Sequence, residues 1–181
     1  MTARADKPKV LIVGAGLGGL MFGALLEKSG VPYTIFERAT IVKPLGSAMS
    51  VGPTLLPIFQ QLGIYDEFLT IGKYGTHSDT YNKSLKPYKR SDHRPFKLQI
   101  RVLVGLTNEP LIHDLNSTGY GQYIVARPKY YELFLKQIPS HKIHFGHRVL
   151  NVTEENDKAI VHLSNNQTYE GDIVVGADGA Y

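Results

Sequence analysis

The sequence predicts an α/β fold, a parallel sheet with a helical layer and a β-meander across it, plus a partial insert. Three stretches carry that expectation. Lys9 to Arg38 reads as strand, glycine turn, helix and strand. Arg148 to Glu170 reads as three short strands joined by asparagine turns. Asp172 to Gly179 is an apolar strand running into an acid and a glycine.

The first stretch organises the rest. Val10-Leu-Ile-Val13 is a short apolar run rich in β-branched residues, the mark of a buried strand. Gly14-Ala-Gly16-Leu-Gly-Gly19 follows, and Leu17, Leu20, Met21, Ala24 and Leu25 recur at the spacing of one helix face up to Gly30. Tyr33-Thr-Ile-Phe-Glu37 then reads as a second strand. In this setting Gly14 permits the turn, Gly16 lets a pyrophosphate approach the backbone, and Gly19 lets helix and strand pack closely. The free N–H groups at the helix start hold the negative charge. Glu37 ends the second strand about 20 residues on, where a carboxylate accepts hydrogen bonds from ribose hydroxyls. A Rossmann-like dinucleotide site is therefore expected at Gly14, Gly16, Gly19 and Glu37. The acid selects a free 2′-hydroxyl, as in NAD or FAD. Arg38 beside it suits an adenine, or the flank of a 2′-phosphate, and the motif alone leaves NAD and FAD both open.

Composition sets outer limits. At 181 residues the chain has room for one domain, or for one and part of another. With 43% hydrophobic and 20% charged residues, it has the makings of a real core. It contains no cysteine, which removes disulfides, thiolate metal sites, iron–sulfur clusters and cysteine nucleophiles, and favours a reducing, cytoplasmic setting. Val10 to Leu26 carries five glycines and is too short for a membrane span, so neither a span nor a targeting segment is expected. The Asn-x-Ser/Thr triplets at Asn82, Asn116, Asn151 and Asn166 are read as chance matches. Seven Lys/Arg residues against Asp92 alone lie between Lys83 and Arg101. No recognition helix or stacking motif accompanies them, so a solvated face rather than a nucleic-acid surface is expected.

Beyond Arg38 a glycine-punctuated segment, Pro44 to Gly52, should be extended or looped. Pro53 and Thr54 then open an amphipathic helix that Gly63 closes. Ala48-Met-Ser50-Val-Gly52 is a poor match to a hydrolase nucleophile elbow, because Pro53 delays the helix that must follow the serine. Leu98 to Val104 alternates like a strand, whereas Asp79 to Asn82 and Pro110 to Gly121 are rich in turn residues. Tyr81, Tyr88 and His113 are read as sheet-packing residues before substrate contacts. Tyr123 to Ala126 is a strand, and Arg127 to Ile138 a helix with proline in its first turn. Lys142 to Phe145 is a short strand. His141, His144 and His147 recur every three residues, but across a strand, a glycine and another strand, so no metal site is expected.

These motifs taken together resemble the flavoprotein monooxygenases of the aromatic-hydroxylase type. The likeness rests on Glu37-Arg38 at the end of the second strand, on Gly46, Ser47, Gly52 and Pro53, on Arg127 at a strand–helix junction, and on Asp172 to Gly179 as a second fingerprint. Thr54 stands where that family usually has asparagine, and Tyr130 where it has leucine. The resemblance implies FAD as cofactor, NAD(P)H as reductant, O₂ as co-substrate and a small organic substrate. It also implies that Arg127 contacts the cofactor and that Asp178 and Gly179 lie near the pyrophosphate. It names no catalytic acid or base. The chain matches only the N-terminal part of the family. The expectation is therefore an incomplete, truncated FAD-binding domain over 1–181, with its core from 8–70 and 121–181 and with 71–120 starting a substrate-domain sheet. A fragment of this kind is expected to be inactive alone. A non-catalytic nucleotide-binding module and an NAD-dependent dehydrogenase stand as the alternatives.

Overall fold

The computed structural model describes residues 7–41, 46–75, 77–81, 87–92, 99–102, 111–114 and 120–179. In chain order the elements are β1 (Val10–Val13), α1 (Leu17–Ser29), β2 (Tyr33–Glu37), β3 (Ala48–Val51), α2 (Leu56–Leu62), α3 (Tyr65–Ile71) and β4 (Gly72–Gly75). Then come β5 (His77–Tyr81), β6 (Pro87–Asp92), β7 (Gln99–Val102), β8 (Leu111–Asp114), β9 (Gln122–Ala126) and α4 (Arg127–Leu135). A 3₁₀ turn, Ser140–Lys142, leads to β10 (Ile143–Phe145), β11 (Val149–Glu155), β12 (Lys158–Leu163), β13 (Thr168–Gly171) and β14 (Ile173–Gly176). They form two compact units, Met1–Gly46 with Pro128–Tyr181, and Ser47–Arg127.

The first unit holds a four-stranded sheet in the order β10-β2-β1-β14, parallel throughout. A parallel sheet must be covered on both faces, and the sequence supplies both covers. On one face α1 packs through Leu20 and Ala24, both buried. Gly23 lets it come close, since a Cβ there would meet Ile35 Cδ1 at 2.9 Å and Ile138 Cδ1 at 3.1 Å. On the other face lies the meander β11-β12-β13, antiparallel, whose Val161 and Leu163 share a core with Leu11 and Phe36 of the sheet. The Phe36 and Tyr169 rings meet edge to face at 4.8 Å. Asn156 and Asp157, both at positive φ (51° and 60°), make the tight turn between the first two meander strands.

Two polar ties hold the periphery. The Tyr33 hydroxyl (2.8 Å) and Lys142 Nζ (2.6 Å) both donate to Glu27 Oε2, joining α1, β2 and the 3₁₀ turn. Burial first, and the hydrogen bond to Glu27 second, raise the Tyr33 hydroxyl above the usual phenol range. Asp172 accepts from the Lys9 N–H at 2.7 Å and from Lys158 Nζ, joining the meander to the entry of β1.

The second unit holds an antiparallel sheet in the order β3-β9-β4 and two hairpins, β5-β6 and β7-β8. Its core packs Leu56, Phe59, Phe68, Val51 and Val125, all at 1% exposure or less. Gly63, at φ +77°, caps α2 as the sequence predicted. The strand expected over Leu98 to Val104 is present as β7 within its described residues. Asp79 to Tyr81, read as a turn, instead belong to β5: Asp79 pairs with Arg90 across the hairpin, and ladder pairing outweighs the turn preference of a single Asp. The rest of the Lys83–Arg101 run and most of 110–121 lie outside the described residues, as do the side chains of Tyr81, Tyr88 and His113. Ser50 of the elbow-like segment sits in β3 opposite Ile124, with the Gln122 amide donating to its hydroxyl. Among the described residues no helix is long and apolar enough to cross a membrane.

Candidate functional site

The carboxyl ends of β1, β2 and β14 converge on the glycine turn. Gly14 holds φ +106°, a conformation L side chains rarely adopt, and a Cβ there would lie 2.6 Å from the Ala177 carbonyl oxygen. A Cβ on Gly19 would lie 2.0 Å from the Gly14 carbonyl oxygen. Both glycines are therefore required by the fold itself. Gly16 is different. Its backbone is extended, and a Cβ there would meet nothing nearer than Ala177 O at 3.8 Å; at Gly18 nothing lies within 4 Å. The chain's own packing leaves this side of the turn open.

The turn is locked from both flanks. The Gly14 N–H donates to Phe36 O and the Ala177 N–H to Val13 O, each at 2.7 Å. Behind it α1 starts at Gly16, with no side-chain cap and no acid in its first turn. Its leading N–H groups thus keep their partial positive charge for an external anion.

Glu37 ends β2 beside this turn and is half-buried. Its Oε2 accepts the Ala15 N–H at 2.9 Å and its Oε1 accepts the Ala39 N–H at 2.8 Å. A carboxylate has about four acceptor positions, so each oxygen retains capacity for a further donor. The loop after β10 braces the same corner: the His147 N–H donates to Glu37 O (2.8 Å) and the Gly146 N–H to Ala39 O (2.9 Å).

The first unit thus brings together Gly14, Gly16, Gly19, Glu37 and the segment after β14. Asp178 is exposed, and its Cα would lie 2.8 Å from a Cβ on Gly14. Gly179 follows at φ +95° with open space around it. Arg38 is exposed beside Glu37. Arg127 is the last residue of the second unit, where its N–H donates to Ser47 O at 3.1 Å and its side chain is exposed. Tyr130, at the leucine position of the resembling family, is buried against Phe134 with ring centroids 5.1 Å apart, and burial pushes its hydroxyl up to about 12.

Some participants carried no sequence signal. The Ala15 and Ala39 N–H groups are backbone donors, and Ala177 acts through its carbonyl, so no residue letter announces them. Tyr131 on α4 also went unnoticed. It is buried, and burial first and the Glu37 charge second push its hydroxyl up to about 12. His144 stacks on Phe36 and meets His147 at 5.2 Å. Among the described residues no group of three or more His, Asp or Glu is positioned to hold a metal ion.

The sequence model of the family described as FAD binding domain matches residues 7–181. The chain belongs to this FAD-binding-domain family. It is 29% identical to the 6-hydroxynicotinate 3-monooxygenase of Bordetella bronchiseptica over 96% of this chain and 41% of that protein. It is 33% identical to the FAD-dependent monooxygenase dpasE of Apiospora sacchari, over 96% of this chain and 33% of that protein. The crystal structure of Klebsiella pneumoniae HpxO complexed with FAD and uric acid superposes with a TM-score of 0.72 at 23% identity, covering 95% of this chain and 39% of that one. The domain thus spans about two fifths or less of the length of these relatives.

FAD is the cofactor of this family, and the residues present suit it. The open side of Gly16 and Gly18, the uncapped start of α1 and the spare acceptor capacity of Glu37 match a pyrophosphate next to a ribose.

Proposed function

We propose that this chain is the FAD-binding part of an NAD(P)H-dependent flavoprotein monooxygenase that hydroxylates a small organic substrate. The observation that carries the proposal is the contrast among the glycines. Gly14 and Gly19 are demanded by the fold, whereas Gly16 and Gly18 border space that the chain itself leaves open. The N–H groups at the start of α1 receive the pyrophosphate, Glu37 accepts the ribose hydroxyls, and Arg38 lies beside the adenine. Asp178 and Gly179 border the pyrophosphate, and Arg127 contacts the cofactor.

FAD, when bound, supplies the redox chemistry that carries electrons from NAD(P)H to O₂. The part of the chain is to hold the dinucleotide in register and to exclude water from its phosphates. Relatives named 6-hydroxynicotinate 3-monooxygenase and FAD-dependent urate hydroxylase support a small electron-rich ring as the substrate class. The absence of cysteine accords with a cytoplasmic setting.

Fluorescence titration of FAD and of FMN with the 181-residue chain tests the site. The expected result is binding of FAD and at least about tenfold weaker binding of FMN, which lacks the adenosine that Glu37 would hold. Equal affinities, or no affinity for FAD, would overturn the assignment.

A further inference from the structure

We infer that His144 is a positioning residue for the ribose corner. Uncharged, it seats the turn after β10 that holds the backbone at Glu37; a proton on it unseats that turn and weakens nucleoside binding. The inference deepens the adenosine reading above and rests on it.

β10 pairs with β2 so that His144 lies beside Phe36 and Phe145 beside Glu37. Alternation turns His144 and Phe36 to the meander face and Glu37 to the opposite one. The His144 ring stacks on Phe36 with centroids 5.6 Å apart. It meets the Tyr169 phenol ring of β13 at 5.3 Å and the His147 imidazole at 5.2 Å, both edge to face. Rings from β2, β13 and the following turn thus surround it, and His147 is the charge that faces it among the described residues.

The turn that carries His147 also carries two bonds to the corner. The Gly146 N–H donates to Ala39 O at 2.9 Å and the His147 N–H to Glu37 O at 2.8 Å. Ala39 in turn gives its own N–H to Glu37 Oε1, so the turn, Ala39 and the carboxylate form one closed set of bonds. Gly146 makes the bend at φ +73°, and a Cβ there would lie 3.2 Å from Thr40 Cγ2. The His147 ring is fixed as well. A carbonyl only accepts, so His147 Nδ1–H donates to Phe145 O at 2.8 Å, and a further proton goes to Nε2.

Neutral, the two imidazoles pack as rings. Both protonated, they are like charges 5.2 Å apart among apolar rings, which repulsion and lost hydration each oppose. His144 is held in the β10–β2 ladder, so relief comes from the turn at Gly146 and His147. Moving it withdraws the donors from Glu37 O and Ala39 O, and the carboxylate loses the orientation that a ribose needs.

Calorimetric titration with ADP-ribose tests this, since that probe keeps the adenosine and pyrophosphate and holds its charge between about pH 7.5 and about pH 5.5. Titrations are run at a temperature where circular dichroism shows each chain folded at both pH values. Affinity of the unsubstituted chain should fall roughly three- to tenfold across the range. His144→Phe keeps the ring stack and cannot take a proton, and His147→Gln removes the facing charge while keeping the backbone bond. Each should change by less than about twofold. An affinity that holds or rises in the unsubstituted chain, or a fall that persists in either folded variant, would assign the two histidines to packing and overturn the inference alone. An unsubstituted chain that does not bind ADP-ribose even at about pH 7.5 would overturn the adenosine reading, and the inference with it.

Discussion

Glu37 reaches back across 22 residues to accept the Ala15 N–H at 2.9 Å, so the end of β2 and the glycine turn after β1 are one hydrogen-bonded unit. With Ala39 on its other oxygen, the carboxylate is oriented before any ligand arrives. Preorganisation of this kind is what a ribose subsite needs, since the ordering cost is met in folding and not in binding.

Replacing Glu37 with lysine should therefore have two effects. Two half-buried backbone donors lose their acceptor, at a cost of roughly 1–3 kcal/mol in stability. FAD affinity should fall by at least about tenfold, because a ribose then meets a cation without acceptor capacity. Thermal melting and fluorescence titration read the two separately. Unchanged affinity in a folded variant would remove Glu37 from the site.

The glycines separate fold from function in one experiment. Gly14→Ala and Gly19→Ala force a Cβ against backbone carbonyls and should destabilise by roughly 2–4 kcal/mol. Gly16→Ala meets open space in an extended conformation, so its melting temperature should stay the same or rise slightly. Its FAD affinity should nonetheless drop, because the added methyl occupies the approach to the backbone. A Gly16→Ala chain that binds FAD normally would place the pyrophosphate elsewhere.

Much of this was legible from residue letters. The strand, turn, helix and strand from Val10 to Glu37 could be read because apolar period, glycine spacing and a terminal acid agree. The meander could be read because its asparagine turns punctuate alternating runs. The remainder depends on backbone atoms and through-space neighbours. Ala15, Ala39 and Ala177 act through N–H and C=O groups that every residue possesses. The sequence separated Gly14, as the turn, from Gly16, as the approach to the backbone, but the closeness of Ala177 to Gly14 and its distance from Gly16 come from the return of the chain at β14. Asp79 misled because a turn-forming residue also pairs in a ladder once a partner strand is present.

Stability should fall with acid through His144. Its ring lies among Phe36, Tyr169 and His147, and burial first, then the His147 charge, hold it below its ordinary value of 6.5. Between that lowered value and 6.5 the unfolded chain binds more protons than the folded one. Stability should thus be independent of this group above pH 6.5 and decline as pH falls through the window, levelling off below the folded value. Urea denaturation from pH 7.5 to 5 reads the slope. A His144→Phe variant should lose this part of it, and an identical slope in the variant would assign the acid sensitivity to other groups.

A flavin dinucleotide site within the described fold should hold FAD without further chain. The most direct measurement is the absorbance spectrum of the purified 181-residue chain after incubation with FAD and removal of the excess by gel filtration. Flavin bands should co-elute with folded protein and be lost in the Gly16→Ala variant. A folded chain that elutes without flavin would contradict it.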